Sequence, residues 1–293
     1  MKKRQFGNTG IEVSVLGLGG GQVGSDSLSD ADADRFLNTV LDLGITLIDT
    51  ARMYGHSEER IGKYISHRRD EYILSSKCGY TIPGYEDWTY DCVIAGVDRA
   101  LDLMKTDRVD IMHLHSCPKE VLERGDVIQA LEDVVKAGKV RFAAYSGENE
   151  ALEYAIGTGR FASLQTSVNF CDQRGISQYL PEATQRGMGV IAKRPLANAP
   201  WLYDQRPVGQ YVEVYWERFH AMGLPTFDLP WDEVALRFAA FAPGVSSIIS
   251  GTAKPDHIRR NAEILAKGPL PEPIIITMTE TYASHGDCWP GQI

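Results

Sequence analysis

Asp49, Tyr54, Lys77 and His115 are residues whose types and setting suit proton transfer to a carbonyl oxygen. A tyrosine hydroxyl ordinarily titrates at about pH 10, so near neutrality it gives up a proton only where its phenolate is stabilised. A nearby ammonium stabilises it by charge, and Lys77 is the candidate. A lysine pointing into a protein interior needs a counterion to stay charged, and Asp49 is that candidate. A histidine beside them can hydrogen-bond the substrate oxygen and orient it. The roles that follow are Tyr54 as acid, Lys77 as tuner, Asp49 as anchor and His115 as orienter. Two of the four share one stretch, "LIDTARMYGHSEERIGKYI" (47–65), where an apolar run ends in Asp49 and a glycine-containing loop brings Tyr54 back before a helix begins.

The elements that must position these side chains are read from the hydrophobic pattern. Strand-like and helix-like stretches alternate along the chain. The strands are "VSVLGLG" (13–19), "ITLID", "YILSSK", "VDIMHLH", "RFAAYS", "SLQTSVN", "GVIAKR" and "VSSIIS". Helices are expected over "SDADADRFLNTVLDLG", which has an acidic first turn and a stop at Gly44, over "SEERIGKYI", 90–104, 120–137, "NEALEYAI" and 177–186. "KPDHIRRNAEILA" is expected to be the last helix. Eight short, apolar strands rich in β-branched residues, each followed by helical sequence, fit a single α/β domain over residues 1–293, a (β/α)8 TIM barrel. "RQFGNTGIEV" predicts an N-terminal β-hairpin closing the barrel floor, and 195–230 an ordered loop insertion between strands seven and eight, lying over the mouth.

Barrel sites are built where strands end. The predicted ends are Gly19, Asp49, Lys77, His115, Ser146, Gln165, Lys193 and Ser250, and all but the glycine are polar or charged. A ring of such residues converging on one mouth is what a site requires. Two decoys fall away on chemistry. His113 and His115 both point inward, as paired metal ligands would, but later strands offer Ser, Gln, Lys and Ser, so no metal is expected. Gly19, Gly21 and Gly24 match GxGxxG, but the helix that follows opens on Asp26, Asp30, Asp32 and Asp34, which repel phosphate. The glycines are instead expected to let a flat ligand approach the mouth.

Composition narrows the rest. The chain has 293 residues, 43% hydrophobic and 24% charged, as soluble globular proteins do. A net charge of -9 disfavours nonspecific nucleic-acid binding. Five scattered cysteines without a CxxC read as reduced thiols, and no apolar segment suits a signal core or a membrane span, so the expected location is cytoplasmic.

The segments "GNTGIEVSVLGLGG", "IDTARMYGHSEERIG", "SSKCG", "DRVDIMHLH", "SLQTSVNF" and "SGTAKPDHIRRNAE" resemble those of the aldo-keto reductases, in family order and almost end to end. The resemblance implies Asp49, Tyr54, Lys77 and His115 as a catalytic tetrad and hydride transfer between NAD(P)H and an aldehyde, ketone or sugar carbonyl. It assigns Ser146 and Gln165 to the nicotinamide carboxamide, and the dinucleotide to "KRPLANA" and "SGTAKPDHIRRN". The implied cofactor contacts are Gly20, Gly21, Asp49, Ser146, Gln165, Lys193, Arg194, Pro195, Leu196, Gly251, Thr252, His257, Arg260 and Asn261. Four positions depart from the family pattern. Lys193 stands where many members carry an aromatic residue, Gly147 where asparagine is usual, and Gly251 and His257 where a lysine and an arginine hold a 2′-phosphate. Lys254, Arg259 and Arg260 lie nearby, and NADP(H) is expected over NAD(H). Tyr80 and Trp88 are the expected substrate walls. A sugar dehydrogenase using NAD in the oxidative direction, and a nucleotide-binding regulatory protein on the same barrel, are the alternatives.

Overall fold

The computed structural model describes residues 1–286 and 288–293. The chain opens with an antiparallel hairpin, β1 (Lys3–Gln5) and β2 (Glu12–Ser14). Eight strands and their helices then follow in alternation. These are β3 (Leu16–Gly19), α1 (Asp30–Asp42), β4 (Leu47–Asp49), α2 (Ser57–Tyr64), β5 (Ile73–Cys78), α3 (Tyr90–Met104) and β6 (Val109–His115). Next come α4 (Lys119–Arg124), α5 (Asp126–Lys136), β7 (Val140–Ser146), α6 (Asn149–Thr158), β8 (Ser163–Ser167), α7 (Arg174–Gln178), α8 (Leu180–Gln185) and β9 (Gly189–Lys193). The chain finishes with α9 (Glu213–Met222), α10 (Trp231–Ala240), β10 (Ser247–Gly251), α11 (Pro255–Ala266) and α12 (Glu272–His285). Strands β3 to β10 pair in parallel, each with its chain neighbour, and β10 returns to β3, closing the (β/α)8 barrel. No helix among the described residues is long and apolar enough to cross a membrane.

The hairpin seals the floor. Phe6, Ile11 and Val13 are buried against Leu47, Ile111, Ile191 and Ile249, the inward residues of the lower barrel. Gly189 starts β9 without a side chain because a Cβ there would sit 2.6 Å from the Phe6 ring. A larger apolar layer lies between the strands and the surrounding helices, with Phe36, Leu37, Val97, Leu131 and Leu152 among its fully buried members. Capping fixes where helices begin: Ser29 accepts from Asp32 N at α1, and Thr89 from Cys92 N at α3.

The structure differs from the sequence expectation in several elements. The run 13–19 is two strands, because the chain turns from floor to wall at Val15, with Ser14 bonded to both Leu16 O and Thr46. The helix expected over 120–137 breaks at Gly125, whose φ of +83° ends α4 in the left-handed region. The one expected over 177–186 starts earlier, at Arg174, and is interrupted at Tyr179. The insertion 195–230 is not all loop: it holds α9, whose Tyr215 and Phe219 pack with Phe170, Trp201 and Trp231 in an apolar cluster of their own. Finally, α12 follows α11, so "KPDHIRRNAEILA" is not the last helix.

Candidate active site

Register brings the predicted side chains to one level. Asp49 lies opposite Gly19 and Ser75, Lys77 opposite His113, and His115 opposite Ser146, which faces Gln165. Lys77, Gln165 and Ser250 sit one or two residues inside their strand ends.

Asp49 and Lys77 are buried, with Lys77 Nζ 2.7 Å from Asp49 Oδ2 and donating to Thr50 O at 2.8 Å. Burial alone would push the ammonium towards neutrality. Asp49 and Tyr54 outweigh it and hold the Lys77 pKa above the ordinary lysine value. The other oxygen, Oδ1, accepts from Ser75 Oγ at 2.8 Å and from Gln165 Nε2 at 2.9 Å. Half-buried Tyr54 sets its ring 4.9 Å from Lys77 Nζ and edge-to-face with His115 at 6.2 Å. His115 is pushed down to about 2 by burial, with Lys77 and Lys193 adding to it, so its imidazole is neutral. Its Nδ1 lies 2.9 Å from the Tyr80 hydroxyl. His113, a layer below, is fully buried and held near Ser75 and Ser76 O.

Ser146 donates to Gln165 Oε1 at 3.1 Å, so the two residues expected at the carboxamide are bonded to each other. Lys193 is ion-paired at 3.2 Å with buried Glu148, which also accepts from Thr166 Oγ1 and Ser167 N. Arg194 donates to Ser167 Oγ, Tyr211 Oη and Gln292 O. Glu148 and Asn149, the residues that follow Gly147 and could supply the contact of the missing asparagine, are both engaged elsewhere. Glu148 is spent on those partners, and Asn149 makes a reciprocal pair with the backbone of Gly291.

Two cavities meet at Tyr54 and Arg194. The inner one, of about 300 Å³, is lined by His115, Ser146, Gln165 and Lys193. The outer, of about 620 Å³, runs past Gly21, Pro195 and Leu196 to Ser250 and Gly251. Beyond it, buried Thr252 accepts from Lys254 N, and Asn261 Nδ2 donates to Ser250 Oγ. His257 is exposed on the first turn of α11. Arg260 is held by Asp232 of α10 through contacts of 2.6 and 3.2 Å.

The glycine run is divided between two jobs. Gly19 and Gly21 border the outer cavity. Gly20 and Gly24 face the Tyr54 loop instead: a Cβ on Gly20 would lie 2.7 Å from Ser57 Oγ, and one on Gly24 1.5 Å from Tyr54 O. Tyr80 and Trp88 pack on each other at 5.2 Å, with Tyr80 on the His115 side. Sequence reasoning missed Ser75 and the anchoring role of Glu148. Ser75 had a signal, standing two residues before Lys77 on the same inward face; the links of Glu148 to β8 and β9 had none.

The aldo/keto reductase family model matches residues 15–282. The uncharacterized oxidoreductase YqkF of Bacillus subtilis is 28% identical over 285 residues, 90% of each chain. The D-threo-aldose 1-dehydrogenase of a Pseudomonas species is 25% identical over 88% of this chain and 91% of its own. The aldo-keto reductase AKR11C1 of Bacillus halodurans, in its holo form, superposes with a TM-score of 0.84 at 25% identity, covering 96% of both chains. With the barrel, the buried lysine–aspartate pair at its mouth and a family match over nearly the whole length, the chain belongs to the aldo/keto reductase family and is an NAD(P)H-dependent oxidoreductase.

Proposed function

We propose that this protein reduces an aldehyde, ketone or sugar carbonyl with Tyr54 as proton donor. The observation that carries the reading is the ammonium of Lys77, buried between the Asp49 carboxylate and the ring of Tyr54, which itself borders both cavities. An ammonium there stabilises a phenolate without leaving its own counterion, so Tyr54 can release its proton to a carbonyl oxygen and recover it afterwards. Neutral His115 donates a hydrogen bond to that oxygen and fixes its direction. Asp49 keeps Lys77 charged and in place.

The residues fit a dinucleotide. The outer cavity is bordered by Gly21, where a Cβ would meet nothing within 4 Å, and by Arg194, Pro195 and Leu196. Thr252 and the amides of the first turn of α11 suit phosphate, and Ser250, Gly251 and Asn261 would hold the adenosine end. Ser146, Gln165 and Lys193 would surround the nicotinamide. When bound, the reduced nicotinamide supplies the hydride. NADP(H) is the cofactor we assign over NAD(H), with Lys254 and His257 the exposed groups near the ribose end; Arg260 would have to exchange its Asp232 partner to take part. Tyr80 and Trp88 form one wall for the substrate.

Oxidation of a sugar by the same residues is the second reading, favoured by the resemblance to a D-threo-aldose dehydrogenase. The test is absorbance of reduced cofactor with purified protein, NADPH or NADH, and a panel of aldehydes, ketones and sugars, followed by the reverse assay with NAD(P)⁺. Carbonyl-dependent oxidation of NADPH is the expected result. Tighter binding of NADH than NADPH overturns the cofactor choice, and cofactor binding without turnover of any substrate overturns the enzymatic reading.

A further inference from the structure

The Tyr80 hydroxyl has one partner among the described residues, Nδ1 of His115, at 2.9 Å. The rings lie 5.6 Å apart and 27° from parallel, a stacked arrangement that accompanies the hydroxyl-to-nitrogen contact.

The chain invests strain in aiming this one side chain. Gly79 before it has a φ of +128° and Thr81 after it +58°, while Trp88, whose ring supports Tyr80, is held at +60°. Non-glycine residues in that region persist only where surrounding structure over-determines them. Here Trp88 N donates to Gly79 O at 2.7 Å, Thr81 N to Asp87 Oδ1 at 2.8 Å, and Arg124 to Trp88 O at 2.9 Å. Gly79 cannot carry a side chain, since a Cβ would meet the Trp88 ring at 2.2 Å.

A neutral imidazole carries a proton on one nitrogen, and the partner of the other nitrogen decides which. A carbonyl oxygen presents lone pairs, so the nitrogen facing it must be the one that bears hydrogen. Burial keeps the Tyr80 hydroxyl protonated and able to donate.

We propose that Tyr80 is a positioning residue: its hydroxyl donates to Nδ1 of His115 and so holds the imidazole in the Nε2–H form that hydrogen-bonds the substrate oxygen. This rests on the reading of His115 as carbonyl orienter.

The test is long-range ¹H–¹⁵N correlation of the histidine rings in ¹⁵N-labelled protein, with His115→Gln assigning the signals, in wild type and in Tyr80→Phe. Wild type is expected to show His115 as the Nε2–H form, and Tyr80→Phe a mixture of both tautomers. In the variant kcat should fall about 10- to 100-fold, with KM and the NADPH dissociation constant nearly unchanged. An Nδ1–H form in wild type overturns the proposal without recourse to any variant, and so does an unaltered His115 signal in folded Tyr80→Phe. Both results are independent of turnover, so a wild-type protein that reduces no carbonyl would sink the functional reading and leave the tautomer measurement standing.

Discussion

At Asp49 the two carboxylate oxygens have separate partners: one neutralises Lys77, and the other is held by Ser75 and Gln165. Asp49→Asn places an amide where two donors and an ammonium need an acceptor. It should cost about 3–5 kcal/mol, because a buried charge is left without its partner, and a denaturant titration reads that loss directly. Tyr54→Phe removes only the proton donor. It should keep cofactor affinity, measured by fluorescence quenching, while turnover falls by about 10²- to 10⁴-fold. Asp49, Tyr54, Lys77 and His115 were legible in the sequence because each is a polar or aromatic residue at or just past an apolar strand. The link between Tyr80 and His115 was not legible, because it depends on a turn whose left-handed residues, Thr81 and Trp88, carry no glycine-like signature.

Among the elements, the loop after β3 and the loop after β4 are built as one unit. Gly24 O accepts from His56 N, and Arg60 on α2 donates to Val23 O, Ser25 O and Leu28 O. Tyr54 is thus positioned from β3 as much as from β4. Gly24→Ala should push the Tyr54 loop aside and lose activity out of proportion to its drop in thermal midpoint. Gly21→Ala, whose Cβ meets nothing within 4 Å, should leave the midpoint unchanged. Turnover and thermal denaturation of the two variants side by side check this. Barrel periodicity was readable wherever strands were apolar and helices amphipathic. It failed where one residue decided the outcome: Gly125 looks like an ordinary helical glycine until its φ is known, and α9 hides among aromatic residues that pack on the inserted segment instead of on the barrel.

The whole molecule should lose stability on acidification. His113 is depressed to about 4 by burial, and His115 is lower still. Below about pH 6.5 the unfolded chain takes up protons at these positions that the folded barrel refuses, so stability falls as pH drops towards 4. For His113 alone the loss is on the order of 3 kcal/mol. Asp172 runs the other way: burial and Glu148 raise it to about 6, so between the ordinary carboxylate range and that value the folded state binds the extra proton. Asp172→Asn should therefore steepen the acid loss. Unfolding free energies at pH 7 and pH 5 in both proteins check the sign; a shallower slope in the variant would contradict it.

The bond from Gln165 to Asp49 joins strands on opposite walls of the ring, 116 residues apart in the chain. This sets an order of events during folding. A chain ordered only through β7 already holds all four central side chains, yet Asp49 lacks one of the donors that fix it. Pairings between distant segments are slow to form, so catalytic competence should arrive after most helix and strand. In refolding experiments, carbonyl-reducing activity should lag the circular-dichroism signal, and Gln165→Leu should narrow that lag by removing one of the long-range links the site needs.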